Sequence, residues 1–316
     1  MPNLRARPVG DNWVEVGQNT RFTGELDYPG GYPWNTYYVD YNQSSNNKDG
    51  TTPEKAFKTI AYAVSKAEPW DTIRVLPDYD CTAMEEGADM PVEITQDGLK
   101  ILGSLSSERQ WGSPAFHSHG TDSMFYINAH QVEIGHLAFH MQGAAPAMIE
   151  VAQNGNYWRT HIHDCYFGGN GLALCGIVAG NVTGSGFGYG ATVDAPCTTI
   201  ERCYFNFING SCVYAYCGYG SVIRDSSFFV QAGDVGISVG NETSSRPHLE
   251  ILDNRFSTPD STNAIGIDVV NTPDAGYLFI DGNRFVNFAS DDKCCTKRTG
   301  YMGLNYAGVT AVTITT

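Results

Sequence analysis

Basic side chains are scarce in this chain. Its 316 residues carry 19 lysines and arginines against 34 aspartates and glutamates, a formal net charge of −15. A surface of that sign repels nucleic acid and anionic membranes, so neither is expected as a partner. Long apolar runs are also missing, and none approaches the roughly 18 residues that a membrane helix requires. The opening MPNLRARPVGDNW lacks the apolar stretch of a secretory signal. The expectation is a chain that stays in the cytoplasm that made it, or leaves by a route needing no signal, such as release of virus by lysis. Heptad-like stretches are absent, which argues against a helical bundle. The nine cysteines include no CxxC-like pair, so a thiolate metal site is not indicated and most are expected as buried free thiols.

What is present is turn chemistry and a repeat. Glycine is frequent, at 35 residues, and 42% of the chain is apolar, enough for a core. One hexapeptide frame, isoleucine, four variable residues and phenylalanine, occurs six times: IGHLAF at 134–139, IHDCYF at 162–167, IERCYF at 200–205, IRDSSF at 223–228, ILDNRF at 251–256 and IDGNRF at 280–285. The phenylalanines are separated by 28, 38, 23, 28 and 29 residues, so the frame keeps its spacing while the loops between copies vary. A second short apolar segment follows each of the first five copies, such as Ile177-Val178 and Ile267-Asp268-Val269. A unit of 20 to 50 residues with two or three short strands is the signature of a solenoid, whose coils bury their inward rows only by stacking.

Isoleucine and phenylalanine are predicted to point inward on either side of a bend. The residue three after the isoleucine also points inward: Leu137, Cys165, Cys203, Ser226, Asn254 and Asn283. An inward asparagine at such a bend is expected to take the left-handed conformation and to bond its neighbour's backbone. Upstream, Thr52 and Pro53 read as a helix start, and Phe57, Ile60, Ala61 and Val64 fall on one face, predicting a single helix over 53–67. The organisation expected is an extended arm over 1–36, a capping strand and helix over 37–71, and the solenoid over 72–316.

The bend asparagines of LDNRF and DGNRF, the run of short strands and the opening DGTTPEKAFKTIAYAV…DTIRVLP resemble the pectate-lyase-like superfamily. The resemblance covers about residues 37–316. It implies an all-β, right-handed, single-stranded parallel β-helix with an N-terminal capping helix. It leaves the activity open, because that architecture hosts lyases, hydrolases, epimerases and non-enzymatic viral spikes. Members that cleave polysaccharides use outward carboxylates, or an arginine or lysine with calcium, in a groove along one face.

Candidate chemistry is sparse. The position two after each isoleucine carries His136, Asp164, Arg202, Asp225, Asp253 and Gly282. Asp225 and Asp253 should lie one coil apart, within reach of a two-carboxylate mechanism, although alternation with Arg202 also suits a solvated turn. Seven of the eight histidines lie between 117 and 163, and His136, His163 and Asp164 should be neighbours. Imidazole beside carboxylate suits general-base work. The alternative catalytic set is therefore Asp225, Asp253, His136, His163 and Asp164. The spacing matches no known ligand frame, so no metal and no cofactor are expected. Glu150 and Asp268 share an outward column but sit four coils apart, too far to act as a pair. Tyr166, Tyr204, Tyr214, Tyr216 and Tyr219 could line a sugar-binding face. The glycine-rich stretch 180–194 precedes no helix and is a loop, not a phosphate cradle.

Two functions compete. The first is a virion structural protein of a phage-like virus, a head-decoration or spike component, anchored to other virion proteins through Trp13, Tyr28, Tyr32 and Trp34 of the arm and assembled as a homotrimer. The second is a depolymerase, a polysaccharide lyase or glycoside hydrolase, acting on surface glycans along an outer groove.

Overall fold

The computed structural model describes residues 34–43, 45–77, 84–85, 90–104, 114–118, 122–141, 146–151, 159–169, 175–179, 197–215, 220–240, 248–259, 263–270, 277–296, 301–307 and 310–311. The chain divides into two units, Met1–Asn35 and Thr36–Thr316. Trp13, Tyr28, Tyr32, Tyr216 and Tyr219, and the stretch 180–194, lie outside the described residues.

The second unit is a right-handed parallel β-helix of three sheets, two of ten strands and one of seven. Each sheet takes one strand from each successive coil, so neighbours in space are a full coil apart in sequence. Among the described residues every pairing between named strands is parallel except the last, where Tyr306–Ala307 meets Thr310–Ala311 antiparallel. The hexapeptide frame spans the bend between the first sheet and the third. Its isoleucines align in the first sheet, Ile134 with Ile162, Ile200, Ile223, Ile251 and Ile280. Its phenylalanines align in the third, from Phe139 to Phe285. Those rings stack face to face at 4.8–5.1 Å between centroids and 3–11° between planes. The centroid spacing matches the coil rise, so one offset stack runs along the core. The edges of Phe205, Phe256 and Phe285 lie against Gly176, Gly236 and Gly266 of the seven-stranded sheet.

The bend differs from expectation in one respect. The left-handed residue is the one before the inward asparagine: His136, Asp164, Arg202, Asp225 and Asp253 have φ of 51–58°, and Gly282 has 70°. The asparagines turn inward beyond it and form a buried ladder. Asn254 Nδ2 donates to Asn283 Oδ1 and Asn283 Nδ2 to Asn305 Oδ1, each at 3.0 Å. The same side chains bind backbone groups of adjoining coils, as when Asn283 Nδ2 donates to the Ile251 carbonyl at 2.8 Å. The seven described cysteines are all free thiols, and six of them are buried.

The predicted helix over 53–67 is broken. Pro53–Lys55 forms a 3-10 turn and only Ile60–Lys66 is α-helical. Phe57 is extended instead and bridges the first strand: its N–H donates to the Tyr38 carbonyl and its carbonyl accepts from Asp40 N–H, both at 2.8 Å. The helix is capped by Thr59, whose hydroxyl accepts from Tyr62 N–H at 3.3 Å. No helix among the described residues is long and apolar enough to cross a membrane.

Candidate functional site

On the first sheet, residues flanking each inward isoleucine point outward. Two outward columns result. One runs Lys100, Glu133, His161 and Thr199. The other runs Leu102, Gly135, His163, Glu201 and Arg224. Beside them lies the left-handed bend row with His136, Asp164 and Arg202. Five basic residues, Arg74, Lys100, Arg159, Arg202 and Arg224, therefore fall on adjoining coils of one face in a chain that has only 19.

Glu201 is the centre of this face. Only 4% of it is exposed, although it points away from the core, because two guanidinium groups close over it. Arg202 Nη1 donates to Oε1 at 2.6 Å and Arg224 Nε to Oε2 at 2.7 Å. His161 Nε2 stands 3.1 Å from Oε1. Burial would raise the pKa of Glu201, but these partners outweigh it and hold the carboxyl down at about 2. Arg202 also clamps Asp164 bidentately, Nε to Oδ1 at 3.0 Å and Nη2 to Oδ2 at 2.9 Å. Burial opposes ionisation of Asp164 too, and is likewise overcome by Arg202 and His163, so its pKa is lowered.

His163 connects this group to the preceding coil. Its Nδ1 lies 2.8 Å from Asp164 Oδ2 and its Nε2 lies 3.2 Å from Glu133 Oε1. The ring fits because the preceding coil has glycine at the matching position: a Cβ on Gly135 would lie 2.4 Å from it. Glu133 Oε2 pairs with Lys100 Nζ at 2.8 Å. Burial works against ionisation of Glu133, but Lys100 and then His163 lower its pKa. His136 packs edge-on against His163, with ring centroids 5.2 Å apart. Partial burial comes first among the influences on it and lowers its pKa despite the nearby Asp164. An open depression of about 520 Å³ adjoins the network, lined by Arg159, His161, Cys197, Thr199, Glu201 and Arg224 among others.

The structure thus brings His136, His163 and Asp164 together and separates Asp225 and Asp253 from them. The last two are exposed and occupy the next coils of the bend row. Glu150 and Asp268 share one column, with Val178, Tyr214 and Ser238 between them. Each binds a hydroxyl, Glu150 that of Ser123 and Asp268 that of Thr296. The tyrosines divide between sheets. Tyr166 and Tyr204 stack at 5.7 Å on the third, and Tyr214 lies on the seven-stranded one, so these three do not form a single row. Sequence reasoning missed Glu133, Glu201, Lys100, Arg159 and Arg224. The signal for Glu133 and Glu201 was their place directly beside an inward isoleucine. Two sets of three potential metal ligands occur among the described residues, Glu133–His161–His163 and His136–His163–Asp164. Both contain imidazole, so neither suits calcium, which takes six to eight oxygens.

Comparisons bear on the fold. No family model matches the chain, and no curated protein matches it. Among solved structures it is similar to pectin methylesterase PemA from Erwinia chrysanthemi, at 14% identity and a TM-score of 0.50, covering 88% of this chain and 90% of that one. It is also similar to a rhamnogalacturonan lyase, at 14% identity and a TM-score of 0.49 over 81% of this chain and 75% of that one. A third similar structure is the rice weevil pectin methyl esterase, at 12% identity and a TM-score of 0.48 over 83% and 82% of the two chains. At such identities the likeness is one of architecture alone, the parallel β-helix fold.

Proposed function

We propose that the chain engages an acidic polysaccharide on the outward face of the first sheet, as a depolymerase of the lyase class. The observation that carries this reading is the charge arrangement around the depression. A buried, ionised Glu201 fixes Arg224 and Arg202, and Arg159 stands on the same rim with no carboxylate partner among the described residues. Fixed guanidinium groups match a sugar carboxylate in shape and charge. In a chain of net charge −15, so local a concentration of cations selects an anion at close range. Thr199 adds a hydroxyl-bearing side chain to the lining of the depression.

The same arrangement disfavours hydrolysis with Glu201 as proton donor, because a carboxyl held at about 2 has no proton to give at neutral pH. Elimination next to a uronate carboxylate instead requires cations to neutralise that carboxylate and a base to take the proton on the adjacent carbon, while the glycosidic C–O bond on the next carbon breaks to form a double bond and the departing oxygen takes a proton from water. His136, whose pKa burial lowers, is the imidazole proposed as that base and stands beside the network through its contact with His163.

A second reading has one observation in its favour. Glu133, Asp164 and Glu201 all have cationic partners, as rivets between coils would. The chain would then be a virion structural protein of a phage-like virus, held through residues 1–36. Arg159→Ala separates the readings, because that side chain has no carboxylate partner among the described residues. We expect it to weaken binding of a uronate oligosaccharide about 10- to 100-fold, the loss of one charge-assisted bond, with the thermal midpoint unchanged. Equal binding by wild type and variant, measured by calorimetry, would defeat the depolymerase reading.

A further inference from the structure

We propose that Glu133, His161 and His163 form a binding site for one divalent transition-metal ion of the zinc class. One donor atom from each lies within 4.8 Å of the other two. His163 Nε2 and Glu133 Oε1 are 3.2 Å apart. Two ligands on a tetrahedral zinc ion, each about 2.1 Å from it, are separated by about 3.4 Å. The donor pair therefore stands close to its metal-bound spacing already. Two imidazoles and a carboxylate are a donor set that zinc and its neighbours prefer and that calcium and magnesium do not.

The surroundings support a ligand set beyond a chance ion pair. His163 Nδ1 is fixed by Asp164 at 2.8 Å, the carboxylate–imidazole contact that orients metal-bound histidines and leaves Nε2 as the ligand. Glu133 has its second oxygen fixed by Lys100, which leaves Oε1 facing imidazole. His161 and His163 sit two residues apart on one strand, so both rings leave the same side of the sheet, with centroids 4.5 Å apart. Glu133 reaches them from the matching position of the preceding coil. The absence of a side chain on Gly135 leaves room for the His163 ring.

The alternative set of His136, His163 and Asp164 is the weaker one. Arg202 already occupies both oxygens of Asp164. Glu201 is not a fourth ligand either, since Arg202 and Arg224 hold its oxygens. The protein therefore supplies three ligands and leaves the remaining position to water or a bound molecule, as in open metal sites. The side chain of His161 is 39% exposed, which gives the ion a path in. This site adjoins the depression but does not depend on the glycan reading, because metal binding is measured with no sugar present.

The test uses untagged full-length protein, stripped with chelator and titrated with Zn²⁺ by calorimetry, and with Co²⁺ by visible absorption. About one equivalent of Zn²⁺ should bind, Co²⁺ should give visible bands, and bound Zn²⁺ should raise the thermal midpoint. His161→Ala and Glu133→Gln should each weaken binding at least about 100-fold. Asp164→Asn, which weakens the support of His163 and the Arg202 clamp but removes no metal ligand, should weaken it about 10- to 100-fold. His117→Ala, on the third sheet, should change nothing. Should His161→Ala fail to fold, Glu133→Gln, nearly isosteric and half-buried, carries the test. No heat and no visible band at sub-millimolar metal would overturn the proposal, as would stoichiometric binding that survives in a folded His161→Ala or Glu133→Gln protein.

Discussion

Asn283→Leu is expected to destabilise the β-helix by about 3–6 kcal/mol, with little change in side-chain volume. Asn283 is fully buried and serves two neighbouring coils. It accepts from the backbone N–H and from Nδ2 of Asn254, both at 3.0 Å. It donates to the Ile251 carbonyl at 2.8 Å and to the Asp281 carbonyl and Asn305 Oδ1 at 3.0 Å. Leucine fills the same space and strands the N–H and Nδ2 of Asn254 in a dry interior, while the Asp281 carbonyl keeps the Asp253 N–H and Asn305 Oδ1 keeps the backbone N–H of residue 283. Each buried group so stranded costs about 1–3 kcal/mol, and some relaxation is allowed for. The loss should appear as a lower urea midpoint. Because coils couple only to neighbours, a broken rung should also reduce the steepness of the transition. A loss below about 1 kcal/mol would show that the ladder is not what fixes the bends of the last coils.

Glu201→Ala should have the second largest effect, about 1–3 kcal/mol, and should act on the site as well as on stability. Removing one member of a buried ion pair costs about 3–5 kcal/mol when its partner is stranded. Here the partners are less exacting. Arg202 retains its clamp on Asp164, and both arginine side chains are nearly half exposed, at 47% and 49%, so water recovers part of the loss. The pH dependence follows from the direction of the shift. Glu201 is held at about 2 in the folded chain against an ordinary value of 4.5. Its contribution is therefore complete above about pH 4.5 and is lost as pH falls toward 2. Glu133 and Asp164 are shifted the same way and add to the same acid limb. Glu201→Gln should flatten that limb between pH 5 and 2 and leave the neutral-to-alkaline range unchanged in slope. Thermal midpoints across that range provide the check, and a parallel displacement of the whole curve would contradict the assignment.

The core was readable because the β-helix repeats an inward pattern at fixed spacing. Isoleucine and phenylalanine five apart name the two walls of a bend, and a one-residue slip would turn both into water. The inward row from Leu137 to Asn283 followed from the same frame. The helix was overextended because Phe57 has the spacing of a helical face. Its backbone is instead committed to the first strand by bonds to Tyr38 and Asp40, and those partners are not local in sequence. The left-handed residue was displaced by one because asparagine has an intrinsic tolerance for that conformation. The buried asparagine is better used as a doubly bonded rung, and the exposed residue before it takes the turn.

At the site, His136, Asp164 and His163 could be placed together because all three keep fixed distances from an isoleucine. Glu133, His161 and Glu201 keep fixed distances too, one residue before or after it. The importance of Glu201 came from depth, which spacing does not report. Glu201 becomes buried on an outward face only because arginines from its own and the next coil fold over it. That closure is a property of side-chain packing across strands and leaves no trace in periodicity.

The central functional claim is that the cations around Glu201 select a sugar carboxylate. It is tested most directly by titrating the full chain with two preparations of one uronate oligosaccharide, one with free carboxylates and one fully methyl-esterified. The account predicts binding of the free acid at least about tenfold tighter than the ester, with the difference reduced by salt. Equal affinity for the two, or affinity for neither, would contradict it.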